Sequence, residues 1–241
     1  MNRPTAIAIV ASTVLVLSAC TSAEPTPTTS TTTTTAEVGL EMAPRDYEEF
    51  RAQPTICGAA APDPVTPMQF DAPDELVEAT NSIRATISTS CGDIIVDLDP
   101  VLAPETVNSF VFLAEAGYFD GSVFHRLIPG FVLQGGDQSA TGRGGPGYSI
   151  PDEFPPAGVG YEPGTLAMAN AGPGTTGSQF FIVLDSVGLP PQYSIFGFVD
   201  EGLDILDRLQ TAPLGRAAGS PDPAPSTPLE TIYINTVTID R

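Results

Sequence analysis

The stretch from Phe124 to Asp137 contains the residues whose types could do chemistry. It holds His125, the only histidine of the chain, and it holds Arg126 and Gln134 between apolar residues. Placing an arginine among apolar neighbours on a half-buried surface costs free energy, because the guanidinium loses part of its hydration. Its charge is therefore expected to have a functional role. A single histidine cannot form a histidine-based metal cluster, and arginine stays protonated at any physiological pH. We therefore expect hydrogen bonding by a permanent cation and an amide, without a metal or cofactor.

Two short segments with strand-like composition position these side chains. They are Val123 to Ile128 and Phe131 to Gln134, and the pair Pro129-Gly130 between them is typical of a tight turn. If both segments are strands, alternation places Phe124 and Arg126 on the same face of the sheet.

The surrounding segments predict a mainly β protein with two helices. Residues from Ile83 to Leu98 alternate around a turn, which indicates a hairpin. Pro104 begins a helix that Gly117 ends, and a second helix spans Leu203 to Leu209 with its leucines on the buried side. Further strands are predicted at Gly164 to Asn170, Ser178 to Leu184, Ile195 to Val199 and Thr231 to Ile239. Many short strands with two helices indicate a closed antiparallel barrel capped by helices.

Two segments are predicted to lie in loops. Thr141 to Gly147 is rich in glycine but lacks the lysine and the following hydroxyl residue of a phosphate-binding loop, so a flexible surface loop is expected. Pro213 to Pro228 is rich in proline and is predicted to be an exposed excursion. A role for this excursion as a ligand of another protein is the alternative.

The composition excludes some functions. The chain has 241 residues, enough for one full-sized domain, and a net charge of −20 with nine basic residues, all of them arginine. This charge repels phosphate backbones, so nucleic acid is a poor partner. The acidity itself is interpreted as a contribution to solubility.

Residues 1–19 are predicted to be an export signal. Ala6 to Leu17 is an apolar run too short to span a bilayer as a stable helix. Leu17-Ser18-Ala19-Cys20 resembles the lipobox of bacterial lipoproteins, in which Cys20 would carry the lipid. An ordinary secretory signal with a chance cysteine is the alternative.

Residues 20–37 are rich in Thr, Ser and Pro and are predicted to form a disordered stalk. The expected location is the cell membrane, lipid-anchored, with the domain on the extracytoplasmic side.

Residues 38–82 are predicted to be an extension that packs on the main domain, 83–241, without a core of its own. Cys57 lies in the extension and Cys91 lies in the first hairpin. If Cys20 is lipidated, an exported compartment favours pairing of the other two cysteines. The bridge would contribute about 3–4 kcal/mol by loop entropy, and two unpaired thiols are the alternative.

Three segments in order resemble the cyclophilin-type peptidyl-prolyl isomerases. They are Phe124 to Asp137, Met168 to Pro173 and Gly177 to Ile182, with Phe196-Gly197 following. The resemblance covers about Ile83 to Arg241. It implies a closed eight-stranded antiparallel barrel whose interior is filled by side chains, so that a substrate binds in a groove on the outer face.

The resemblance also implies roles for single residues. Arg126 matches the catalytic arginine, and Gln134 matches the glutamine beside it. Residues that match the proline pocket and its neighbouring wall are Phe131, Val132, Ala169, Asn170, Ala171, Gln179, Phe181, Leu189 and Tyr193. The Asn170 backbone would pair with an extended peptide. An ion pair with one of the 29 acidic residues is the alternative role for Arg126, and a hydrogen-bonded structural role is favoured for His125.

The segment from Asp185 to Tyr193 departs from the family pattern. Gly188 or Leu189 lies where many members carry a pocket tryptophan. Isomerase activity is expected to survive, because the pocket stays apolar. Binding of cyclosporin, which in the family depends on that tryptophan, is predicted to be weak.

The expected function is peptidyl-prolyl cis-trans isomerisation in exported proteins by a tethered monomer. Rotation about an X–Pro bond faces a barrier of about 18–20 kcal/mol, because the nitrogen lone pair is delocalised into the carbonyl. Twisting localises that lone pair, so a fixed donor such as Arg126 would bind the transition state better than either ground state. A binding module or chaperone that grips proline segments without turnover is the alternative.

Overall fold

The computed structural model describes residues 42–78, 82–186 and 188–241. The predicted export signal, Cys20 and the predicted stalk lie outside the described residues. Within the described part of the chain, no helix is long and apolar enough to cross a membrane.

Short antiparallel strands make up most of the regular structure. The strands are β1 (Ile83–Thr89), β2 (Gly92–Leu98), β3 (Arg126–Ile128), β4 (Val132–Gly135), β5 (Thr165–Met168), β6 (Phe180–Val183), β7 (Ile195–Glu201), β8 (Leu214–Gly215), β9 (Thr227–Pro228) and β10 (Ile234–Asp240). The helices are α1 (Tyr47–Arg51), α2 (Pro104–Glu115) and α3 (Leu203–Leu209). Eight strands form one sheet in the order β10-β1-β2-β7-β5-β6-β4-β3, and β8 pairs with β9. The predicted hairpin, the helix after Pro104 and the eight-stranded sheet are confirmed.

The prediction that this barrel is closed is wrong, because the sheet curls but has no ladder between β3 and β10. A single bridge joins Val123 to Tyr233 just before these strands begin. The free edge of β3 is used elsewhere, since the Leu127 N–H donates to the carbonyl of Ser226 at 2.8 Å. Ser226 precedes β9, so the proline-rich segment occupies the place where closure would occur.

The main core lies inside the curled sheet, under α2 and α3. In α2 the predicted apolar face is buried, and Gly117 follows it with φ +73°, a left-handed conformation that suits glycine. In α3 the expectation that all three leucines are buried is wrong for Leu203, which is 51% exposed, while Leu206 and Leu209 are buried. Leu203 is the first residue of the helix, directly after the N-cap Gly202.

Phe124 does not share a face with Arg126 as alternation predicted. It packs in the main core with Leu127, and its ring contacts that of Phe180 at a centroid distance of 6.0 Å. The physical reason is that β3 begins only at Arg126. The period of two therefore does not extend back to residue 124.

Residues 42–78 lie against the sheet and share its apolar contacts. Tyr47 and Phe50 of α1 are buried in a cluster with Val123 and Tyr233. The Tyr47 hydroxyl donates to the carbonyl of Gly121 at 2.9 Å. A disulfide joins Cys57 to Cys91 across a separation of 34 residues, with 5.5 Å between their Cα atoms. This segment is thus attached to the sheet by packing, hydrogen bonds and one covalent link.

The segment from Pro213 to Pro228 is more ordered than an exposed excursion. Its base is the β8–β9 pair, and Asp222, Ser226 and Thr227 within it are buried. The prediction that this segment is exposed is therefore wrong for these three residues. They are covered because the segment folds back toward β3, as the Ser226 contact shows.

Candidate active site

A row of polar side chains crosses the outer face of the sheet. Arg126 of β3 and Gln134 of β4 are opposite each other in register, and Arg126 Nη1 donates to Gln134 Oε1 at 3.1 Å. Gln134 Nε2 then donates to Gln179 Oε1 at 3.1 Å, and Gln179 Nε2 donates to the carbonyl of Gly144 at 2.9 Å. Each amide is therefore held in one orientation by a donor on one side and an acceptor on the other.

Arg126 also forms an ion pair with Asp222. Its Nε donates to Oδ2 at 2.8 Å and its Nη2 donates to Oδ1 at 2.7 Å, so the pair is bidentate. The hydrogen bond from Arg126 holds the pKa of Asp222 below its usual range, although partial burial opposes that shift. The alternative role that the sequence offered for Arg126, an ion pair with an acidic residue, is therefore present in the structure, but sequence reasoning did not name Asp222 as the partner. The signal that could have found it is an acidic residue between two prolines, Pro221 and Pro223, in a segment otherwise poor in charge.

An apolar group of side chains lies beside this row on the same face of the sheet. It is a cluster separate from the main core, in which Val132 and Phe181 are buried and Phe131, Leu189 and Tyr193 are half-buried. The ring of Tyr193 meets that of Phe181 edge to face at 5.4 Å. The structure thus brings together all five residues that the sequence assigned to the proline pocket or its rim.

The residues assigned to the neighbouring wall line a cavity of about 450 Å³. They are Ala169, Asn170, Ala171 and Gln179. Backbone N–H groups on both sides of Asn170 are bonded, that of Ala169 to the Gln179 carbonyl and that of Ala171 to Thr175 Oγ1. Within the described residues, the Asn170 backbone itself makes no such bond. Pairing of this backbone with an extended peptide stays a prediction.

The glycine-rich loop that borders this cavity has an internal anchor, which the sequence did not reveal. The buried Asp137 carboxylate accepts the backbone N–H groups of Ser139, Arg143 and Gly144 at 2.8 to 3.1 Å. Burial alone would raise the pKa of Asp137, but the hydrogen bond from the Ser139 hydroxyl, together with those from the backbone N–H groups of Gly144 and Ser139, outweighs burial and holds the pKa below its usual range. A Cβ at Gly144 would lie 2.0 Å from Asp137 Oδ1, so the loop can close on the carboxylate only with glycine there.

His125 is buried, but it is not the hydrogen-bonded structural histidine that the sequence favoured. Among the described residues, neither of its ring nitrogens has a partner. Burial lowers the pKa of His125 to about 4, with the charge of Arg126 adding to that shift and Asp137 opposing it. The ring is therefore neutral at pH 7.

No group of three or more His, Cys, Asp or Glu side chains that could hold a metal ion is found in the part of the chain that the structure describes. The chemistry available on the outer face is that of one guanidinium, two amides and an apolar pocket.

Comparison with known proteins identifies this arrangement. The family model described as cyclophilin type peptidyl-prolyl cis-trans isomerase/CLD matches residues 84–239. Peptidyl-prolyl cis-trans isomerase B of Streptomyces anulatus is 41% identical over 177 residues, covering 66% of this chain and 97% of that protein. Peptidyl-prolyl cis-trans isomerase A of Mycobacterium tuberculosis is 41% identical over 174 residues, covering 64% and 91%.

Solved structures show the same family resemblance in the fold. A crystal structure of a Cryptosporidium parvum cyclophilin-type peptidyl-prolyl cis-trans isomerase in the presence of the dipeptide Ala-Pro matches with 33% identity and a TM-score of 0.59, covering 66% of this chain and 99% of that one. These similarities define a class of enzyme built on a curled antiparallel sheet. The chain belongs to the cyclophilin-type peptidyl-prolyl cis-trans isomerases, and the reaction it catalyses is rotation about X–Pro bonds.

Proposed function

We propose that Arg126 is the group that lowers the rotational barrier, and that Gln134 and the apolar pocket hold the substrate for it. The supporting observation is the register of three neighbouring strands. Gln134 is paired with Arg126 on one side and with Phe181 on the other. Directly opposed residues have Cβ atoms about 4.5–5.5 Å apart, so cation, amide and aromatic ring form one continuous surface.

This surface suits the requirements of amide rotation. A proline ring against Phe181 and Phe131 would be held still in an environment without water. The X–Pro nitrogen would then face Arg126, whose Nη1 is the guanidinium nitrogen that is not bonded to Asp222. As the bond twists, the nitrogen lone pair becomes localised, and a hydrogen bond to it strengthens in the transition state. Arg126 supplies that donor at any pH because its guanidinium does not deprotonate.

A protease-coupled assay on an X-Pro peptide tests the role of Arg126. We expect the variant Arg126→Ala to lose about 10²-fold or more of kcat/KM, the magnitude typical for removal of a fixed transition-state donor. Arg84→Ala is the matched control, because Arg84 is exposed and forms ion pairs with Asp97 and Asp200 on the opposite part of the sheet. Equal activity of Arg126→Ala and wild type would refute the catalytic role. Absence of catalysed isomerisation in both proteins would instead favour a module that binds proline segments without turnover.

We further propose that the enzyme is a monomer tethered to the cell membrane through a lipid on Cys20 and acts on exported proteins. The support is in the sequence, where the apolar run, the lipobox-like Leu17-Ser18-Ala19-Cys20 and the Thr/Pro-rich segment follow one another. Mass spectrometry of the mature N-terminus checks this proposal, with Cys20→Ser as the control. An acylated Cys20 is expected, and an unmodified N-terminus at another residue would contradict it.

A further inference from the structure

We propose that Asp222 is a positioning residue, which holds the Arg126 guanidinium in the orientation that catalysis needs. The inference rests on the proposed role of Arg126 as the donor to the prolyl nitrogen. It assigns a function to the proline-rich segment 213–228 that neither the sequence nor the comparisons supplied.

The geometry of the ion pair leaves one particular nitrogen for the substrate. Asp222 takes the Nε and Nη2 edge of the guanidinium, and Nη1 is left to bond Gln134. With both edges of the planar group bonded, rotation about the last bonds of the Arg126 side chain is restricted. Arginine has a long side chain with many rotamers, so fixing it in advance removes an ordering cost from the catalytic step.

Asp222 is itself held from several directions. Its backbone carbonyl accepts from Arg216 Nη1, and Arg216 Nη2 donates to the carbonyl of Pro223 at 2.6 Å. Its N–H donates to Ser220 Oγ at 3.3 Å. The prolines on either side of Asp222 fix their own φ angles, which stiffens the tip of the segment. A carboxylate supported in this way can act as a rigid anchor for a flexible cation.

The same segment forms a wall beside the catalytic groups. Residues 217–222 line a cavity of about 800 Å³ together with Arg126, Gln134 and the tip of the glycine-rich loop. A change of side-chain volume at position 222 would therefore alter the cavity as well as the ion pair. Asp222→Asn is the informative variant, because it removes the charge and keeps the shape.

The alternative effect of Asp222 is to weaken the donor, since a carboxylate lowers the positive potential around the guanidinium. Both contacts of Asp222 are made on the edge remote from Gln134. Nη1 therefore keeps its hydrogen bond to Gln134 in the polar row. On this geometry positioning outweighs the loss of potential, and removal of the carboxylate slows the reaction.

The test compares wild type with Asp222→Asn, Arg216→Ala, Arg126→Ala and the charge control Asp207→Asn in the coupled assay. Asp207 lies on the exposed side of α3. We expect kcat/KM to fall about tenfold for Asp222→Asn and two- to fivefold for Arg216→Ala, with peptide affinity within twofold of wild type. Asp207→Asn should match wild type, and thermal melts check that each variant is folded.

NMR of the Arg126 side chain supplies a readout that a merely structural role would not change. In wild type, rotation of the guanidinium about its Nε–Cζ bond should be slow, and in Asp222→Asn it should be fast. Wild-type activity in Asp222→Asn, or an increase, would overturn this inference while a loss in Arg126→Ala left the proposed function intact. Wild-type activity in Arg126→Ala would instead remove the proposed function and this inference together.

Discussion

Lowering the pH from 7 to 5 should destabilise this protein through His125. The unfolded chain holds this side chain in water with its ordinary pKa of 6.5, whereas burial in the folded protein lowers the pKa to about 4. Between these two pKa values, the unfolded state therefore binds a proton at His125 that the folded state does not bind. The contribution of His125 to the free energy of unfolding is fully present above about pH 6.5, and it is lost as the pH falls toward the pKa of the folded state.

The magnitude follows from the two pKa values. Each pH unit between them costs about 1.4 kcal/mol of unfolding free energy, so the step from pH 7 to pH 5 should cost about 2 kcal/mol. Other groups contribute little in this interval, since His125 is the only histidine. The buried carboxylates Asp137 and Asp222 have lowered pKa values, so their contributions are lost only at more acidic pH.

Urea unfolding at pH 7, 6 and 5 measures this dependence, with His125→Gln as the matched variant. Wild type should lose about 2 kcal/mol over the interval, and His125→Gln should be nearly flat because glutamine does not titrate. Equal slopes for the two proteins, or a flat wild type, would show that the ring is not excluded from protonation and would refute the reasoning.

Three further predictions concern the loop, the disulfide and the pocket. Gly144→Ala should cost about 1–3 kcal/mol in thermal or urea unfolding, because its Cβ would overlap Asp137, whereas Gly145→Ala has open space and should be nearly neutral. Reduction, or the double variant Cys57→Ser/Cys91→Ser, should lower the unfolding free energy by about 3–4 kcal/mol, and an unchanged urea midpoint would contradict the loop-entropy argument. Cyclosporin should inhibit only weakly in the coupled assay, and nanomolar inhibition would contradict that expectation.

Some of the contacts that sequence reasoning predicted are local, whereas the predicted disulfide between Cys57 and Cys91 spans 34 residues. Arg126 and Gln134 are eight residues apart around one tight turn, and the resemblance to the family had implied that they lie side by side. Phe181 and Val132 were placed by resemblance to the family. Their common location on the outer face agrees with the alternation along β4 and β6.

The contacts that were missed depend on irregular backbone. Asp222 reaches Arg126 across 96 residues from a segment with almost no regular structure, and no periodic pattern encodes such a contact. The open edge of the sheet has the same origin, since Ser226 takes the N–H of Leu127 that a closing strand would have used. The unpartnered ring of His125 could not be foreseen either, because hydrogen-bond partners depend on the packing of several separate segments.

The central claim is that Arg126 stabilises the twisted X–Pro bond, beyond any contribution to binding. NMR exchange spectroscopy on a saturating X-Pro peptide measures the cis–trans rate within the complex directly. We expect rapid exchange with wild type and a rate about 10²-fold lower with Arg126→Ala, while chemical-shift changes show that the peptide still occupies the pocket. Equal exchange rates in the two complexes would contradict it.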